Sequence, residues 1–305
     1  MSNISWRTLE KVMRFCNENG ESATCEKFGI NIESLHRYQR KARFYETKQP
    51  MVLLFDIETT PLSVHTWHTG RQRITPDQIM DEWFLLSYSC KWLFDSKVYG
   101  EVLTPEEIKH KDDLRITKGL WHFIDKADIV IAHNAKGFDV PKAQTRFMLH
   151  KLAPPSPFQI IDTLLVARKN CRLSSNKVDY IGQLTLNKRK LHTEYALWLR
   201  CLEGDKESLE YMLTYNKQDV LLLEEVYTLL RPYISNHPNM AIYMEAHEPT
   251  CPNCGSTDIE ECGYYTTAVN RYLAFRCNSC GAICRSRTND TPVKCKSGIL
   301  RSISR

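Results

Sequence analysis

Hydrophobic and polar positions divide the chain into three segments with different patterns. In the first, residues 1–48, the stretch "WRTLEKVMRFC" places apolar residues on one face at helical spacing. The stretch "ESATCEKFGINIESLHRYQRKAR" then predicts a short helix that ends at Gly29 and a second helix from Ile32 to about Ala42, capped by Asn31. This segment therefore predicts a small helical module.

The second segment, residues 49–238, alternates strand and helix patterns. Apolar runs predict strands at "MVLLFDI", "WFLLSYSCKWLF" and "DIVIAHN", with shorter strands at "VY" and "FQII". Helices are predicted at "TPEEIKHKDDLRITKGLWHFIDKA", after Pro141, after a capping Asp162, and at "DKESLEYMLTYNKQDVLLLEEVYTLL". The stretch "CRLSSNKVDYIGQLTLNKRK" is predicted to be a loop. Such alternation predicts an α/β layered domain.

Cysteine pairs mark the third segment, residues 249–305, which follows a predicted linker at residues 239–248. Two CxxC pairs, each followed by a glycine, contain four cysteines: Cys251, Cys254, Cys277 and Cys280. A tetrahedral Zn²⁺ site takes four thiolates, and glycine permits the tight turn of each CxxC knuckle. The spacing resembles a zinc ribbon and predicts one structural Zn²⁺. Two disulfides are the alternative pairing, and Cys284 is a candidate substitute ligand.

Composition and charge narrow the class of protein. With 42% hydrophobic and 25% charged residues, the chain has the make-up of a folded soluble protein, and no apolar run approaches the roughly 20 residues that span a bilayer. Residues 1–48 hold nine lysines and arginines against six acids, and residues 249–305 hold eight against four. Basic ends suit a polyanionic partner, with ordinary surface charge as the alternative.

Four acids follow the predicted strands or lie on the last helix. Asp56 and Glu58 point to the same face at the end of the first strand, because side-chain direction repeats every two residues. Asp139 follows a later strand, and Asp219 lies on the final helix, four residues after Tyr215. Acids gathered from separate elements repel one another unless cations neutralise them. Two Mg²⁺ or Mn²⁺ ions about 4 Å apart would do so and would support phosphodiester hydrolysis.

Three short motifs in this segment resemble a known enzyme family. "FDIET", "HNAKGFD" and "YNKQD" occur in the order found in the DEDD superfamily of 3′–5′ exonucleases, which have a ribonuclease-H-like fold. The tyrosine four residues before the last aspartate resembles the DEDDy branch, whereas the histidine branch would need histidine at Thr214. The resemblance extends to the proofreading domains of family B DNA polymerases and to stand-alone phage exonucleases. It implies a mixed five-stranded sheet flanked by helices.

The resemblance also assigns roles to residues of the motifs. It implies four metal ligands: Asp56, Glu58, Asp139 and Asp219. It implies that Tyr215 orients the attacking water, and that Asn134 positions the second-motif loop or touches the substrate. The expected cofactors are two Mg²⁺ or Mn²⁺ ions for catalysis, beside the one structural Zn²⁺.

Candidate nucleic-acid contacts come from all three segments. The first segment resembles a helix-turn-helix whose second helix would present His36 and its basic neighbours on an exposed face, with a helical bundle packed on the main domain or on a partner as the alternative. In the second segment, the polar loop could contact a phosphate backbone, with a solvated basic turn as the alternative. In the third, the arginines could contact nucleic acid, with protein binding as the alternative. The candidates are His36, Arg37, Arg40 and Lys41; Ser174, Ser175, Asn176, Lys188, Arg189 and Lys190; and Arg271, Arg276, Arg285 and Arg287.

The acidic cluster predicts metal-dependent phosphodiester hydrolysis, and the family resemblance implies a 3′–5′ exonuclease with single-stranded DNA as the favoured substrate, acting in DNA replication, repair or degradation. RNA is the alternative substrate, since nothing in the sequence reads a 2′-hydroxyl. Two rival hypotheses are a DNA-binding regulator or replication adaptor with the nuclease fold as scaffold, and a structure-specific endonuclease. We expect nucleic acid and replisome proteins as partners and no membrane. The expected location is the cytoplasm, that of the host if a phage encodes the protein.

Overall fold

Five strands pair into one mixed sheet in the computed structural model, which describes residues 6–46, 49–244 and 246–303. The strands before the cysteine-containing segment are β1 (Val52–Thr59), β2 (Ser63–Val64), β3 (Ile79–Asp81), β4 (Leu85–Trp92), β5 (Tyr99–Val102), β6 (Ile129–Ala132) and β7 (Gln159–Asp162). The sheet order is β5-β4-β1-β6-β7, and β2 pairs only with β3. β1 runs antiparallel to β4 and parallel to β6, so the predicted α/β fold with a mixed five-stranded sheet is confirmed.

Nine helices accompany this sheet in the described residues up to 230. They are α1 (Trp6–Phe28), α2 (Ile32–Glu46), α3 (Pro105–His110), α4 (Leu114–Lys126), α5 (Asp139–Leu149), α6 (Thr163–Asn170), α7 (Val178–Leu186), α8 (Tyr195–Leu202) and α9 (Lys206–Leu230). One-turn 3₁₀ helices lie at Pro76–Gln78 and Arg231–Tyr233. Two sequence predictions were wrong: α7 lies within the stretch predicted to be a loop, and α5 begins at Asp139 rather than after Pro141.

Side-chain caps explain where two of the helices begin. The Thr104 hydroxyl accepts a hydrogen bond from the Glu107 backbone N–H, and the Glu107 carboxylate accepts one from the Thr104 N–H, which starts α3. Asp162 accepts hydrogen bonds from the backbone N–H groups of Leu164 and Leu165 and starts α6. Asp162 therefore has the capping role predicted for it.

The apolar runs of the strands form the core. The first four residues of β1 and all four of β6 are buried, and α4 packs Ile116, Leu120 and Ile124 against the sheet. A central parallel pair that is buried on both faces requires such continuous apolar runs. The core therefore holds the carboxyl end of β1 in a fixed position.

The N-terminal helices have a small core of their own. Val12, Cys16 and Leu35 are buried between α1 and α2, and the chain turns between the two helices at Gly29, where φ is +59°. α1 is kinked at Gly20, where φ is +83°, so the two predicted helices of this stretch lie on either side of the kink. These glycines permit the left-handed backbone that an ordinary residue resists.

One face of α2 packs against the end of α4, which corrects one expectation. His36 is buried at 1% exposure and hydrogen-bonds the Asp125 carboxylate, so the prediction that it lies on an exposed face was wrong. The Arg40 guanidinium donates to the backbone carbonyls of Asp125 and Ala127 and pairs with Asp128 at 3.3 Å. The buried side chain and these bonds favour the alternative of a helical bundle packed on the main domain.

The chain divides into two compact units. The first comprises Met1–Arg40 and Met51–Tyr227, and the second comprises Lys41–Pro50 and Thr228–Arg305. In the second unit, β8 (Ile259–Thr266), β9 (Arg271–Cys277) and β10 (Ile283–Arg285) form an antiparallel sheet of order β10-β9-β8, accompanied by α10 (Met240–Tyr243) and α11 (Val293–Lys296). Within the described ranges, every helix is too short or too polar to cross a membrane.

Candidate functional site

The end of β1 presents two carboxylates on one face of the sheet. Asp56 lies opposite Ser89 of β4 and Glu58 lies opposite Ser87, and both serines are buried. These small side chains leave room above the sheet for the longer acids. The register between β1 and β4 shifts directly after Glu58, and such bulges redirect side chains at the ends of strands.

Helix α9 crosses this face and completes the cluster. Asp219 is only 3% exposed, and the ligand oxygens of Asp56, Glu58 and Asp219 all lie within 4.8 Å of one another. Asn216 donates a hydrogen bond of 2.6 Å to Asp56 Oδ2, which fixes the orientation of that carboxylate. Tyr215, one turn before Asp219, is 7% exposed and belongs to the main core. Side chains from the two ends of the domain therefore meet at one point.

Asp139 lies beside this cluster at the first turn of α5. It is 1% exposed, and hydrogen bonds from the backbone of Asp139 itself and of Ile57 place it against β1. It is not one of the three acids whose oxygens lie within 4.8 Å of one another. The structure thus brings three of the predicted ligands together and holds the fourth next to them.

Burial makes this group of acids costly to ionise. Burial first, and the charge of Asp219 second, raise the pKa of Asp56 to about 7. Burial and then the charge of Asp56 raise the pKa values of Glu58 and Asp139 well above their usual range. The pKa of Asp219 is also raised, chiefly by burial. A cation at this point would relieve both the desolvation and the mutual repulsion.

A lysine supplies part of that compensation. Lys190 Nζ lies 2.6 Å from Asp219 Oδ2 and 3.5 Å from the Tyr215 hydroxyl. Burial lowers the pKa of Lys190, but the charges of Asp56 and Asp219 outweigh it, so the net shift is upward. One ammonium group balances at most one ionised acid, so ionisation of the whole cluster requires further positive charge.

The donor set fits hard divalent cations. Asp139 Oδ1 and Asp219 Oδ1 are buried and have no hydrogen-bond partner among the described residues. Buried polar atoms are nearly always paired, so an unpaired carboxylate oxygen in an acidic cluster is suited to a metal ligand. Oxygen-only donors match Mg²⁺ and Mn²⁺ better than Zn²⁺. The acidic cluster is therefore compatible with the predicted metal site.

A cavity of about 640 Å³ is lined in part by residues that neighbour the acids along the chain. It begins at Thr59 and Thr60, directly after Glu58 on the chain, and Lys142, one turn after Asp139, contributes to its wall. The Lys142 amino group lies 3.7 Å from the centre of the Trp83 ring. Its lining combines aromatic and apolar side chains with this one ammonium group: Thr59, Thr60, Pro61, Leu62, Trp83, Lys142, Tyr195 and Trp198.

The predicted contacts near the motifs lie in different settings. Asn134 has a φ of +80°, and its carbonyl accepts from the backbone N–H groups of Gly137 and Phe138, so it shapes the turn before Asp139. The Asn176 carbonyl accepts a hydrogen bond from His133. Ser174 and Arg189 are exposed, whereas Lys188 pairs with Glu225 of α9 at 2.6 Å.

In the N-terminal helices, Arg37 is exposed and Arg40 is engaged with the end of α4 as described above. The side chain of Lys41 lies outside the described residues. Nucleic-acid binding by these two arginines, and by the polar residues near the motifs, stays a prediction.

Two residues that contact the acids were not predicted from the sequence to do so. Lys190 appeared only as part of a basic cluster, and Asn216 appeared only as a letter inside the motif "YNKQD". The helical spacing of Asn216 to Asp219 was a usable signal, because positions three apart share a helix face. Nothing local distinguishes Lys190 from Lys188, because the return of the chain over the acids is a tertiary feature.

The second unit gathers four cysteines into one cluster. Their Sγ atoms lie within 4.8 Å of one another, with Cys251 and Cys280 3.7 Å apart and Cys254 and Cys277 3.5 Å apart. Gly255 and Gly281 have φ values of +79° and +78°, as the two CxxC turns require. The geometry is compatible with a zinc ribbon. The candidate substitute ligand Cys284 is not a member of the cluster found among the described residues.

Backbone groups favour ionisation of one of these thiols. Burial opposes the thiolate of Cys277, but hydrogen bonds from the backbone of Cys280 and Ser279 and from Cys254 outweigh it and lower its pKa to about 7. Burial raises the pKa of Cys251. Four thiol groups at these distances, with backbone N–H groups around them, form a donor set of the kind that holds Zn²⁺ in tetrahedral coordination.

Three of the four predicted nucleic-acid contacts of the second unit, Arg271, Arg276 and Arg285, lie on its sheet, and Arg287 follows β10 on the chain. Arg276 is exposed, and Arg271 pairs with Asp290 at 3.2 Å. Nucleic-acid binding by these two arginines also stays a prediction.

Comparison with known proteins agrees with the fold. Residues 101–231 match the family model of the RNase_H superfamily. The matched range contains Asp139, Lys190, Tyr215 and Asp219, and it begins after the strand that carries Asp56 and Glu58. No curated protein matches the chain. The RNase H-like domain indicates a nucleic-acid hydrolase and implies nucleic-acid binding and divalent metal ions.

Proposed function

We propose that this protein is a 3′–5′ exodeoxyribonuclease of the DEDDy type that uses two divalent metal ions. The observation that carries the proposal is the meeting of Asp56, Glu58 and Asp219, with ligand oxygens within 4.8 Å of one another, at the end of a central strand. A structural or scaffold role gives no reason to bury repelling acids together. A hydrolytic site needs such a cluster to hold cations at a phosphodiester.

The acids hold the ions, and neighbouring groups hold the acids. Asp56, Glu58, Asp139 and Asp219 would hold Mg²⁺ or Mn²⁺, which would supply activation of a water and positive charge for the leaving oxygen. Asn216 fixes the rotamer of Asp56 through its 2.6 Å hydrogen bond. This arrangement orients the ligands before any ion binds, which lowers the reorganisation that binding requires.

The Tyr215 hydroxyl is placed to orient the reacting groups. Burial and then the charge of Asp219 raise its pKa, so the phenol stays protonated and can donate a hydrogen bond at neutral pH. The Tyr215 hydroxyl lies 3.5 Å from Lys190 Nζ, so the phenol and the ammonium group lie together beside Asp219. We assign the phenol to the attacking water and the ammonium to a phosphate oxygen.

The cavity lined by chain neighbours of Glu58 and Asp139 supports the proposal of a single-stranded substrate. Its volume of about 640 Å³ lies in the range of small-molecule sites, which is the scale of one terminal nucleotide. Trp83, Tyr195 and Trp198 offer aromatic surface to a base, and Lys142 offers a cation to its phosphate. A paired end would have to fray before its last nucleotide could enter.

The remaining segments are proposed to serve this activity. We assign the segment at residues 1–48 to a small module of helix-turn-helix-like order whose second helix packs on the end of α4. We assign residues 49–238 to the exonuclease domain, residues 239–248 to a linker, and residues 249–305 to a zinc ribbon. One Zn²⁺ on the four cysteines would stabilise that last module. Replication, repair or degradation of DNA would be the setting, with replisome proteins as candidate partners.

Digestion of end-labelled oligonucleotides tests the proposal. The wild-type protein and the Asp219→Ala variant are incubated in Mg²⁺ or Mn²⁺ with single-stranded DNA, duplex DNA and RNA, each labelled at the 3′ or 5′ end. We expect a ladder of shortened 5′-labelled single-stranded DNA, early release of the 3′ label as a mononucleotide, and no product from the variant. Internal cuts, release of the 5′ label first, or preference for RNA would each replace the proposed activity with a different one.

A further inference from the structure

The sheet of the second unit carries exposed tyrosines that the nuclease chemistry does not use. Tyr264 is 52% exposed and Tyr265 is 51% exposed. Adjacent residues of a strand point to opposite faces, so the two tyrosines belong to different surfaces of the same sheet. The two surfaces differ in their charge, and that difference suggests a function for one of them.

We infer that the sheet face bearing Tyr265, Tyr272, Arg276 and Arg285, here named the tyrosine–arginine face, binds single-stranded polynucleotide by base stacking. This inference rests on the proposed function, because a nuclease that removes single nucleotides from a 3′ end gains from a second hold on the same strand. It assigns the ligand class and the contact residues of the second unit.

Strand register places these side chains on one face. Tyr265 of β8 lies directly opposite Tyr272 of β9, and directly opposed residues project to the same side of a sheet. Arg285 of β10 lies opposite Ala274, two residues from Tyr272, and so projects to that side as well. Three neighbouring strands therefore contribute to one surface.

The arginine stacks on the tyrosine. The guanidinium carbon of Arg285 lies 4.0 Å from the centre of the Tyr272 ring and 5.6 Å from that of Tyr265. Arg285 Nη1 donates a hydrogen bond of 2.9 Å to the Ser286 carbonyl. The outer face of a guanidinium placed over an aromatic ring, and its remaining N–H groups, stay available to a ligand. Among the described residues, neither Arg285 nor Arg276 forms an ion pair with a carboxylate.

Spacing on this face suits a nucleotide chain. Arg276 is four residues from Tyr272 on the same strand, which at the usual rise per residue is about 13 Å along the sheet. An aromatic pair at one end and a cation farther along are the two parts of single-strand binding sites, where bases stack and phosphates pair. Glu260 lies opposite Arg276 and moderates the charge at that end.

The opposite face lacks these properties and serves as an internal control. There Arg271 lies 4.2 Å from the centre of the Tyr264 ring, but its guanidinium also pairs with Asp290 at 3.2 Å. Its charge is therefore compensated within the protein, and its donors hold the chain around Asp290. Arg271 and Arg276 were both predicted from the sequence to contact nucleic acid, and of this pair Arg276 lies on the tyrosine–arginine face.

Polynucleotide explains the face better than an acidic protein surface does. An acidic peptide would use the arginine charges but has no need of two paired tyrosine rings at their base. Every nucleobase offers a flat π-face for such rings, whatever its sequence. DNA and RNA share this chemistry, so the sugar preference is left to the experiment.

Binding measurements on the full chain test the inference. The Asp219→Ala substitution is placed in all proteins to prevent cleavage, and fluorescence anisotropy is measured with dT20, rU20 and a 20-base-pair duplex at several salt concentrations. Tyr265→Ala and Tyr272→Ala should each weaken binding of a single strand by roughly 5- to 100-fold, the usual range for loss of one stacked base. Tyr272→Phe should bind as the parent does, because the ring and not the hydroxyl makes the contact.

Arginine variants test the second part of the face. Arg285→Gln should weaken binding and reduce the slope of log affinity against log salt by about one, as expected for loss of a phosphate contact. Tyr264→Ala, on the opposite face, is the matched control and should leave affinity within about twofold of the parent. Zinc content and melting temperature are measured for every variant. If Tyr272→Ala loses its zinc, the conclusion rests on Tyr265→Ala and Arg285→Gln.

Several outcomes would overturn the inference. Parental affinity in folded Tyr265→Ala and Tyr272→Ala proteins would remove the face from nucleic-acid binding. If polyglutamate also binds, and the tyrosine substitutions weaken its binding as much as that of dT20, the face would be assigned to an acidic protein partner. The proposed nuclease activity is tested separately, with a trinucleotide as substrate in Mg²⁺. If the wild-type protein does not hydrolyse the trinucleotide but still binds dT20 through the tyrosines, the proposed function fails and the binding inference stands.

Discussion

The acidic cluster and the cysteine cluster are both suited to metal ions, but they are assembled in opposite ways. The four cysteines come from two short turns that lie within 30 positions of the chain, and each turn presents its pair locally. Asp56, Glu58 and Asp219 come from a strand and a helix separated by most of the first unit, and the fold alone brings their oxygens within 4.8 Å. One cluster is local and the other is tertiary.

The two clusters also differ in what holds them without an ion. Lys190 and Asn216 contact the acids, and a large core supports β1 beneath them. The cysteine cluster has only a small core of Cys251, Cys277 and Ala282 with a few partly buried neighbours among the described residues. We therefore expect metal to be needed for reaction at the acids and for folding at the cysteines.

The largest expected effect is that of Asp219→Ala, which removes one acid from the acidic cluster. Loss of this ligand should reduce Mg²⁺-dependent cleavage by roughly 1,000-fold or more, because residues that act as a unit fail together. The fold should survive, since removal of a repelling acid relieves strain on the cluster. Initial rates on single-stranded DNA and a thermal melt check both points. Glu225→Gln, an acid on the same helix that pairs with Lys188, is the matched control and should retain activity.

At the cysteine cluster, Cys251→Ser should impair metal binding and folding of the second unit rather than the reaction. We expect about one zinc per wild-type chain and almost none in the variant, because a tetrahedral site with one thiolate removed binds zinc far more weakly. The second unit should then lose protection from proteolysis while the first unit keeps its own. Metal analysis and limited proteolysis measure these effects, and Cys262→Ser, an exposed cysteine outside the cluster, is the control. A wild-type protein that folds without zinc would refute the assignment.

A smaller effect is expected from Tyr215→Phe. The ring still fills its place in the core, but the hydroxyl beside Asp219 and Lys190 is lost. Cleavage should slow by roughly 10- to 100-fold with little change in substrate affinity, since orientation of a reactant affects the rate of the chemical step. Single-turnover rates at saturating enzyme measure this. A rate equal to that of the wild type would remove the phenol from the mechanism.

The smallest effect concerns stability in the absence of metal. The pKa of Asp56 rises from an ordinary value of 3.8 to about 7 on folding, so the folded state binds more protons than the unfolded state between these values. Its contribution to stability is therefore complete below about pH 4 and is lost as the pH rises through about 7. The metal-free protein should melt several degrees lower at about pH 8 than at about pH 5.5.

Two comparisons isolate this effect from that of the remaining titratable groups. Asp56→Asn should reduce the difference between the two pH values, because the amide cannot ionise. Mg²⁺ should raise the melting temperature more at the higher pH than at the lower one, because it binds the ionised acids. If the melting temperature of the metal-free wild type rises with pH, and does so equally in Asp56→Asn, then ionisation of Asp56 does not destabilise the fold as proposed.

Local signals in the sequence were enough for much of the fold. The apolar run "VLLF" predicted the first strand, Thr104 with Glu107 predicted the start of α3, and Asp162 predicted the start of α6. Each of these rests on contacts within a few residues. α7 was missed because its segment contains serine, asparagine and lysine at its start, and its apolar residues Val178 and Ile181 are buried only against the rest of the domain.

Burial was the main property that local patterns could not supply. His36 looked like an exposed residue of a basic helix, but it is buried against Asp125, because α2 packs on the end of α4. Arg276 and Arg271 looked equivalent in sequence, yet they project to opposite faces of one sheet, and Arg271 pairs with Asp290 there. Pairing across strands decided between them.

By itself, the sequence determined the alternation of strands and helices, the two CxxC turns and the residue types of the acidic motifs. These follow from side-chain periodicity, from glycine at positive φ and from the chemistry of each donor. Only the tertiary structure decided that α9 returns over β1, that Lys190 reaches Asp219 at 2.6 Å and that Asn216 holds Asp56. Those contacts join distant parts of the chain, and the free energy that fixes them comes from burial of the shared core rather than from any local preference.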